Sequence, residues 1–247
     1  MNPRRTKENL SPHVQQAFFP YFKSLKAVHG DNLVSVFLYG SATGTDFVPG
    51  VSDINSGLVF RKLDFPALQK SLPVVSEGLK KKIPAPLFLT KESIANALDV
   101  FPLEFRDMQE NHVIIDGEDV ISVLEIKDEH VRLFCEQQIK GRLIRVRQGY
   151  LETGLSPQRV SLLLQEALTT LMPVFRNLLR LKGEPLPSSK PEILERLCGV
   201  FQLKRDVFLK IHKHKSGEAK IPPDEMAVDL DQFLIELGKL AEQVNGL

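Results

Sequence analysis

Residues 34–60 read VSVFLYGSATGTDFVPGVSDINSGLVF, and this stretch decides how the rest of the chain is interpreted. It holds two short apolar runs, rich in Val, Phe, Leu and Tyr, which are typical of β-strands. Gly40 and Ser41 follow the first run directly, and Asp53 and Asn55 stand at the start of the second. The pattern predicts a strand, a turn and a strand, with backbone amides of the turn able to face an anion.

The composition is that of an ordinary globular protein. Of the 247 residues, 43% are hydrophobic and 26% are charged, which excludes a largely disordered chain. Lys and Arg number 32 against 31 acidic residues, so the net charge of +1 gives no strong nucleic-acid signal. The two cysteines, Cys135 and Cys198, form no zinc-binding pattern, and no apolar run is long enough to span a membrane. We therefore expect a cytoplasmic protein without a membrane partner.

Strands and helices alternate in the first half of the sequence. Besides the two strands of the opening stretch, short strands are predicted at 86–89 and 112–115. A further strand is predicted at 99–108, where Phe101 and Phe105 belong to an alternating apolar pattern. This mixture predicts an α/β arrangement of four or five strands. Helices are predicted at 12–29, 65–82, with Asp64 as its cap, and 91–98.

The second half is helical throughout. Apolar stripes and short connections predict five helices packed as a bundle. We therefore divide the chain into an α/β domain, residues 1–127, and an all-α helical bundle, residues 128–247. The apolar stripes of the bundle allow a homodimer interface, although burial within the bundle explains them equally well. The predicted helices are 128–152, 157–181, 192–203, 206–213 and 225–244.

The first domain resembles the nucleotidyltransferase fold shared by aminoglycoside nucleotidyltransferases and polymerase-β-like enzymes. That family has a Gly-Ser pair after its first strand, two acids one position apart on the next strand, and a third acid on a later strand. Gly40 and Ser41 match the pair, and Asp53, twelve residues after Ser41, matches the first acid. Glu104 is the best match for the third acid. The resemblance covers roughly residues 30–120 and implies an α/β (α+β) mixed sheet, followed by a helical bundle like those that accompany such domains.

The resemblance also implies a function, which is the Mg²⁺-dependent transfer of a nucleotide from a nucleoside triphosphate. The Gly40-Ser41 turn would bind the phosphates, since backbone amides and a hydroxyl suit phosphate oxygens. Asp53, Asn55 and Glu104 would be the metal ligands, with Asp53 and Glu104 as catalytic residues. The acceptor would be a small hydroxyl compound or a protein.

Asn55 departs from the family pattern, which has an acid at this position. An amide oxygen can bind a metal ion, but it carries no charge and cannot act as a base. Three interpretations stay open: a catalytically inactive nucleotide-binding or regulatory protein, a transferase that tolerates Asn55 as a neutral ligand, and an enzyme whose second acid is Asp46 or Asp107. The sequence leaves open whether the chain is an active enzyme.

The helical half offers one alternative site. Arg205 and His212 are seven residues apart, so on a helix they lie within roughly 20° of each other. The pair resembles the arginine-spacer-histidine signature of HEPN ribonuclease bundles, which implies RNA cleavage as an alternative function. Such pairs also arise by chance. The segment from His212 to Lys215 fits an exposed helix end better than a metal site.

Overall fold

The computed structural model describes residues 6–44, 47–187 and 189–247. These residues belong to two compact units, Met1–Ile126 and Lys127–Leu247. Each unit has its own hydrophobic core, one built around a sheet and one built from helices.

A mixed sheet organises the first unit. Within the described residues it has four strands, which are β1 (Leu33–Tyr39), β2 (Ser56–Phe60), β3 (Leu87–Thr90) and β4 (His112–Gly117). Their order across the sheet is β3-β2-β1-β4. β1 pairs antiparallel with β2 and β4, while β3 lies parallel to β2. The strands predicted at 86–89 and 112–115 are thereby confirmed as β3 and β4.

Helices cover both faces of this sheet. On one face, Phe18 and Leu25 pack against Leu58. On the other face, Phe37 and Val59 pack against two further helices. Because both faces are covered, every residue of β2 is buried, and its sequence does not alternate between apolar and polar residues. The helices of the unit are α1 (Pro12–His29), α2 (Phe65–Lys80), α3 (Lys91–Ala95) and α4 (Pro102–Glu110).

The starts of α1 and α2 follow from their capping residues. Ser11 Oγ accepts a hydrogen bond of 3.3 Å from the Val14 nitrogen, and Pro12 fills the first helical position, where no amide hydrogen is needed. Asp64 Oδ1 accepts a bond of 3.1 Å from the Ala67 nitrogen. The prediction that Asp64 caps a helix is therefore confirmed.

The strand predicted at 99–108 is wrong, because most of these residues form α4. Phe105 and Met108 both pack into the core beside Phe37. Core residues three apart have the spacing of a helix, whereas a strand would place every second residue in the core. Pro102 lies in the first turn of α4. A proline at that position favours a helix start, and it outweighs the apolar alternation around it.

The second unit is a helical bundle, as predicted. Three aromatic rings stack edge-to-face at its centre, with Phe208 5.7 Å from Phe233 and 6.0 Å from Phe175. Both cysteines of the chain, Cys135 and Cys198, are buried as free thiols. The observed helices differ from the predicted ones by at most three residues at either end. They are α5 (Asp128–Thr153), α6 (Pro157–Leu181), α7 (Lys190–Val200), α8 (Arg205–Ser216) and α9 (Met226–Asn245).

Among the helices of the described residues, none combines the length and the apolar character that a membrane span requires.

Candidate functional site

The Gly40-Ser41 turn is held in a defined conformation at the end of β1. Gly40 has φ +73°, in the left-handed region that favours glycine, and it begins a short 3-10 turn, Gly40–Thr43. The Gly40 nitrogen donates a hydrogen bond of 3.1 Å to the carbonyl of Asn111, just after α4. Thr43 Oγ1 donates to the Gly40 carbonyl at 2.8 Å. These bonds fix the turn against the start of β4.

Asn55 lies beside this turn. The Tyr39 nitrogen donates a bond of 3.1 Å to the Asn55 carbonyl, which extends the pairing of β1 beyond the first residue of β2. A methyl group added to Gly40 would lie 3.9 Å from Asn55 Nδ2. The turn and the Asn55 segment therefore lie side by side, while the roles of Gly40 and Ser41 in phosphate binding and of Asn55 as a metal ligand stay predictions.

Asp53 and Asn55 point away from the core. They flank Ile54, which is 3% exposed and packs into the core beside α1, whereas Asp53 is exposed and Asn55 is half-buried. Neighbouring side chains of an extended segment alternate between its two sides. Asp53 and Asn55 therefore share one side, although both precede Ser56, the first residue of β2.

Glu104 does not lie where the sequence placed it. It is an exposed residue in the first turn of α4, not a strand residue. Along the helix axis it is about 10 Å from Asn111, the residue that holds the Gly40 turn, at a rise of about 1.5 Å per residue. Neither strand beside β2 carries an acid, since β1 reads LVSVFLY and β3 reads LFLT. The prediction that Glu104 is the third metal ligand assumed that it lies on a strand, and it lies on a helix.

The alternative acids have different positions. Asp107 lies one helical turn before Asn111, whose nitrogen donates a bond of 3.0 Å to the Asp107 carbonyl. It is thus closer along α4 to the turn than Glu104 is. Asp46 lies outside the residues that the structure describes. That Asp46 or Asp107 supplies the carboxylate that Asn55 lacks stays a prediction.

The residues at the turn fit one magnesium ion better than two. Among the described side chains, no three of His, Cys, Asp and Glu are grouped so that they could hold a metal ion. Mg²⁺ is often bound by one or two protein oxygens together with substrate phosphates. Asp53 and the Asn55 amide oxygen suit that arrangement, whereas a two-metal centre needs more carboxylates than they supply.

A polar cluster missed by the sequence analysis supports the turn from β4. His112, which pairs with Tyr39, has Nδ1 2.8 Å from the Met108 carbonyl and Nε2 3.2 Å from Asp119 Oδ1. Partial burial raises the pKa of Asp119, but hydrogen bonds from Ser122 and the nearby His112 outweigh it and hold that pKa below its usual value. The cluster fixes the chain after β4.

This cluster does not have the geometry of a catalytic triad. Ser122 Oγ donates to Asp119 Oδ2 at 2.7 Å and lies 3.5 Å from His112 Nε2, the same ring nitrogen that faces the carboxylate. In a triad the serine and the carboxylate contact different nitrogens of the imidazole. We therefore assign the cluster a structural role.

The alternative site in the second unit shows fewer signs of a function. Arg205 is the exposed first residue of α8, and its Nε lies 3.5 Å from Oδ1 of its neighbour Asp206. His214 Nδ1 accepts a bond of 3.0 Å from the Ile221 nitrogen, so its Nε2 carries the proton and donates to Ser161 Oγ at 2.7 Å. His214 thus joins α8 to α6. The Arg205–His212 pair stays a prediction.

Comparison with known proteins gives the class of the fold. No protein-family model matches the chain, and no curated protein matches it. Solved structures do match, and they show that the chain has a nucleotidyltransferase fold with a helical C-terminal region. The predicted fold class and the resemblance are therefore confirmed.

One of these structures is the crystal structure of spectinomycin adenyltransferase AAD(9) from Enterococcus faecialis with ATP and spectinomycin. The TM-score is 0.53, and the match covers 91% of this chain and 99% of that chain. At 12% sequence identity, the likeness shows the fold alone.

Proposed function

We propose that the first unit binds the magnesium complex of a nucleoside triphosphate at the Gly40-Ser41 turn, and that it transfers the nucleotide slowly to a hydroxyl acceptor. The observation that carries this proposal is the position of Asn55, next to a glycine turn in the left-handed conformation. This arrangement occurs on a nucleotidyltransferase fold. One ligand can thus contact both the turn and the segment that holds Asp53 and Asn55.

The chemistry of the turn supports phosphate as that ligand. The turn starts a 3-10 helix, and N–H groups at a helix start lack acceptors within the helix. Ser41 is half-buried and adds a hydroxyl donor. Asp53, which is exposed, would contribute one carboxylate to the magnesium ion that accompanies the triphosphate.

Transfer requires more than binding. The acceptor oxygen attacks the α-phosphorus, the bond from that phosphorus to the bridging oxygen breaks, and pyrophosphate leaves while the hydroxyl proton passes to a base. Asn55 cannot accept this proton and adds no negative charge for metal binding. We therefore propose slow turnover, limited by the missing second carboxylate.

The nature of the acceptor is proposed from the similar structure. AAD(9) was crystallised with ATP and with spectinomycin, a small molecule, and the two chains match over nearly their whole lengths. We propose ATP as the nucleotide and a small hydroxyl compound as the acceptor. If the nucleotide is transferred to an added protein and not to a small hydroxyl compound, the proposed acceptor is wrong.

Calorimetry with ATP and Mg²⁺ tests the binding step. We expect Asp53→Ala to weaken binding at least tenfold without lowering the melting temperature, because Asp53 is exposed. Asp31→Ala is the matched control, since Asp31 is an exposed acid just before the opposite end of β1. Absence of binding to the unaltered protein, or equal losses in both variants, would contradict the proposal.

A pyrophosphate-release assay tests the transfer step. Asn55→Asp restores a carboxylate of similar size beside Asp53, and we expect the release rate to rise at least tenfold, while Asn55→Ala does not raise it. If ATP binds but Asn55→Asp releases no more pyrophosphate than the unaltered protein, the second candidate function holds. That function is nucleotide binding without turnover, in a regulatory role.

A further inference from the structure

Lys82 has an unusual backbone conformation for a lysine. It lies two residues after the end of α2 and has φ +58°, in the left-handed region that favours glycine. The Ile83 nitrogen donates a hydrogen bond of 3.0 Å to the Gly78 carbonyl, which closes the helix end as a Schellman motif. The backbone at this position suits glycine at least as well as lysine, so the lysine side chain can be removed without disturbing the helix end.

The Lys82 side chain contacts the segment that precedes Asp53. Its Nζ donates a hydrogen bond of 2.7 Å to the Gly50 carbonyl, which lies 32 residues earlier in the chain. Both residues are exposed. The contact joins the end of α2 to the stretch between the Gly40-Ser41 turn and β2, and this stretch contains the candidate metal ligand Asp53.

Gly50 belongs to a closed turn, residues 48–52, which we call the 48–52 turn. The Val48 carbonyl accepts hydrogen bonds from the nitrogens of Val51, at 3.1 Å, and Ser52, at 2.8 Å. Ser52 Oγ accepts a bond of 3.1 Å from the Val48 nitrogen. Gly50 has φ +80°, as a type II turn requires at its third residue. Hydrogen bonds at such an exposed turn open readily unless the turn is held from outside.

Core packing holds this part of the chain at its two ends. Phe47 and Ile54 pack into the same core of the first unit. Between them Val48 and Val51 are 51% and 79% exposed, so burial of these side chains does not fix the turn. The hydrogen bond from Lys82 ties the middle of the turn to α2.

We infer that Lys82 is a positioning residue for Asp53, an inference that rests on the proposed nucleotide site. Asp53 lies between the 48–52 turn and the buried Ile54. Its backbone is therefore fixed on one side by the core and on the other side by the turn that Lys82 holds. A ligand that binds an exposed carboxylate loses affinity if it must first order the chain around it. The Lys82 contact orders this chain in advance.

Gln202 provides a matched control in the second unit. It has φ +49° and lies two residues after α7, and the Leu203 nitrogen donates a bond of 2.9 Å to the Cys198 carbonyl. This helix end therefore has the same geometry as the end of α2, and Gln202 is exposed as well. Neither Lys82→Gly nor Gln202→Gly should lower the melting temperature, because the conformation at both positions favours glycine.

Amide hydrogen exchange without nucleotide tests the Lys82 contact. We expect Lys82→Gly to raise the exchange rates of the Val51 and Ser52 amides at least threefold, because their bonds to Val48 open more often. Lys82→Arg keeps a donor on a long side chain and should exchange like the unaltered protein, as should Gln202→Gly. If Lys82→Gly leaves both rates unchanged, the inference is wrong, whatever the protein binds.

A double-mutant cycle tests whether Lys82 acts through Asp53. In calorimetry with ATP and Mg²⁺ we expect Lys82→Gly to bind about fivefold more weakly, a loss of about 1 kcal/mol. Lys81→Ala removes the same charge one residue away and should bind normally, and Lys82→Arg should restore the affinity. In the Asp53→Ala background, Lys82→Gly should cause no further loss. A full further loss there would show that Lys82 acts on the nucleotide without Asp53, which overturns the inference.

The two experiments separate this inference from the proposed function. If the unaltered protein binds ATP and Lys82→Gly binds it equally well, the proposed function stands and the inference is overturned. If the unaltered protein binds no ATP, the proposed function is wrong, and the exchange rates alone decide whether Lys82 holds the segment before Asp53.

Discussion

Glycine has a different meaning in the two units of this protein. In the sheet, Gly57 of β2 lies directly under the Phe37 ring of β1, and a methyl group added there would come within 2.2 Å of the ring. In the helices of the second unit, Gly141 and Gly238 have open space where a methyl group would go. The sheet therefore needs Gly57 for close contact, whereas positions 141 and 238 would accept alanine.

This difference shows that the two units depend on different kinds of contact. The first unit depends on backbone contacts around a short sheet, and the candidate site is built from the same contacts. The second unit depends on side-chain packing and on a few buried polar groups. The clearest of these is Glu236 of α9, which is fully buried. Substitutions in the two units should therefore differ in size and in sign.

The largest effect is expected at Glu236. Burial raises the pKa of Glu236, but bonds from Lys239 and from the Lys204 nitrogen, at 2.7 and 3.0 Å, outweigh it and hold the pKa below its usual value. Glu236→Ala removes both bonds, including the one at the start of α8, and should lower the free energy of unfolding by about 3 kcal/mol in urea. Glu236→Gln keeps an acceptor and should lose less. Equal losses would show that the negative charge, not the hydrogen bonding, is what matters.

Gly57→Ala should have the next largest effect. The added methyl group forces the buried Phe37 ring to move, which should lower the free energy of unfolding by about 2 kcal/mol. Ser56→Ala is the control on the same strand, because among the described residues the buried Ser56 hydroxyl has no hydrogen-bond partner. That variant should not be destabilised. If Gly57→Ala is as stable as the unaltered protein, the contact of Phe37 with Gly57 does not constrain the sheet.

Gly238→Ala should change stability in the opposite direction. Gly238 lies inside α9 with no atom near the position of an added methyl group. Alanine restricts the unfolded chain and favours the helix, so the free energy of unfolding should rise by about 1 kcal/mol. Urea unfolding measures this change, and Gly141→Ala provides a second test on α5. A loss of stability in both variants would contradict the contrast between the units.

The smallest effect concerns pH and His29 of α1. Burial, with a contribution from Lys70, holds the pKa of His29 below its usual value, and His29 Nε2 lies 2.8 Å from Ser71 Oγ on α2. The unfolded chain therefore takes up a proton first as the pH falls below about 6.5, which favours unfolding. Stability should be complete above that pH and should decrease below it, and His29→Gln should reduce the slope. An unchanged slope between pH 7.5 and 5.5 would assign the effect to other groups.

The sequence predicted most elements because their signals are local. Apolar spacing places α1, and apolar spacing with the cap at Asp64 places α2, within a few residues. The failure at α4 has a physical cause: Phe101, Leu103 and Phe105 alternate over a span too short to distinguish a strand from a helix, and only Pro102 carries the correct signal.

Half of the candidate site was predictable in the same way. Gly40 and Ser41 were visible because a strand followed by a glycine turn has a recognisable pattern. The contribution of Asn111 was not, because it acts through its backbone carbonyl, which any residue supplies. The position of Glu104 depended on the secondary structure assigned to its segment, so one wrong element displaced one site residue.

The hydrogen bond from the Gly40 nitrogen to Asn111 has a consequence for amide hydrogen exchange. This amide is committed to the protein, so its exchange should be slow with and without a bound nucleotide, as long as the sheet stays closed. The Ser41 amide is the one left for the proposed phosphate, because in a 3-10 turn from Gly40 to Thr43 the Ala42 amide bonds to the carbonyl of Tyr39. Protection that grows at Ser41 while Gly40 stays constant would record the arrival of a ligand without any measurement of turnover.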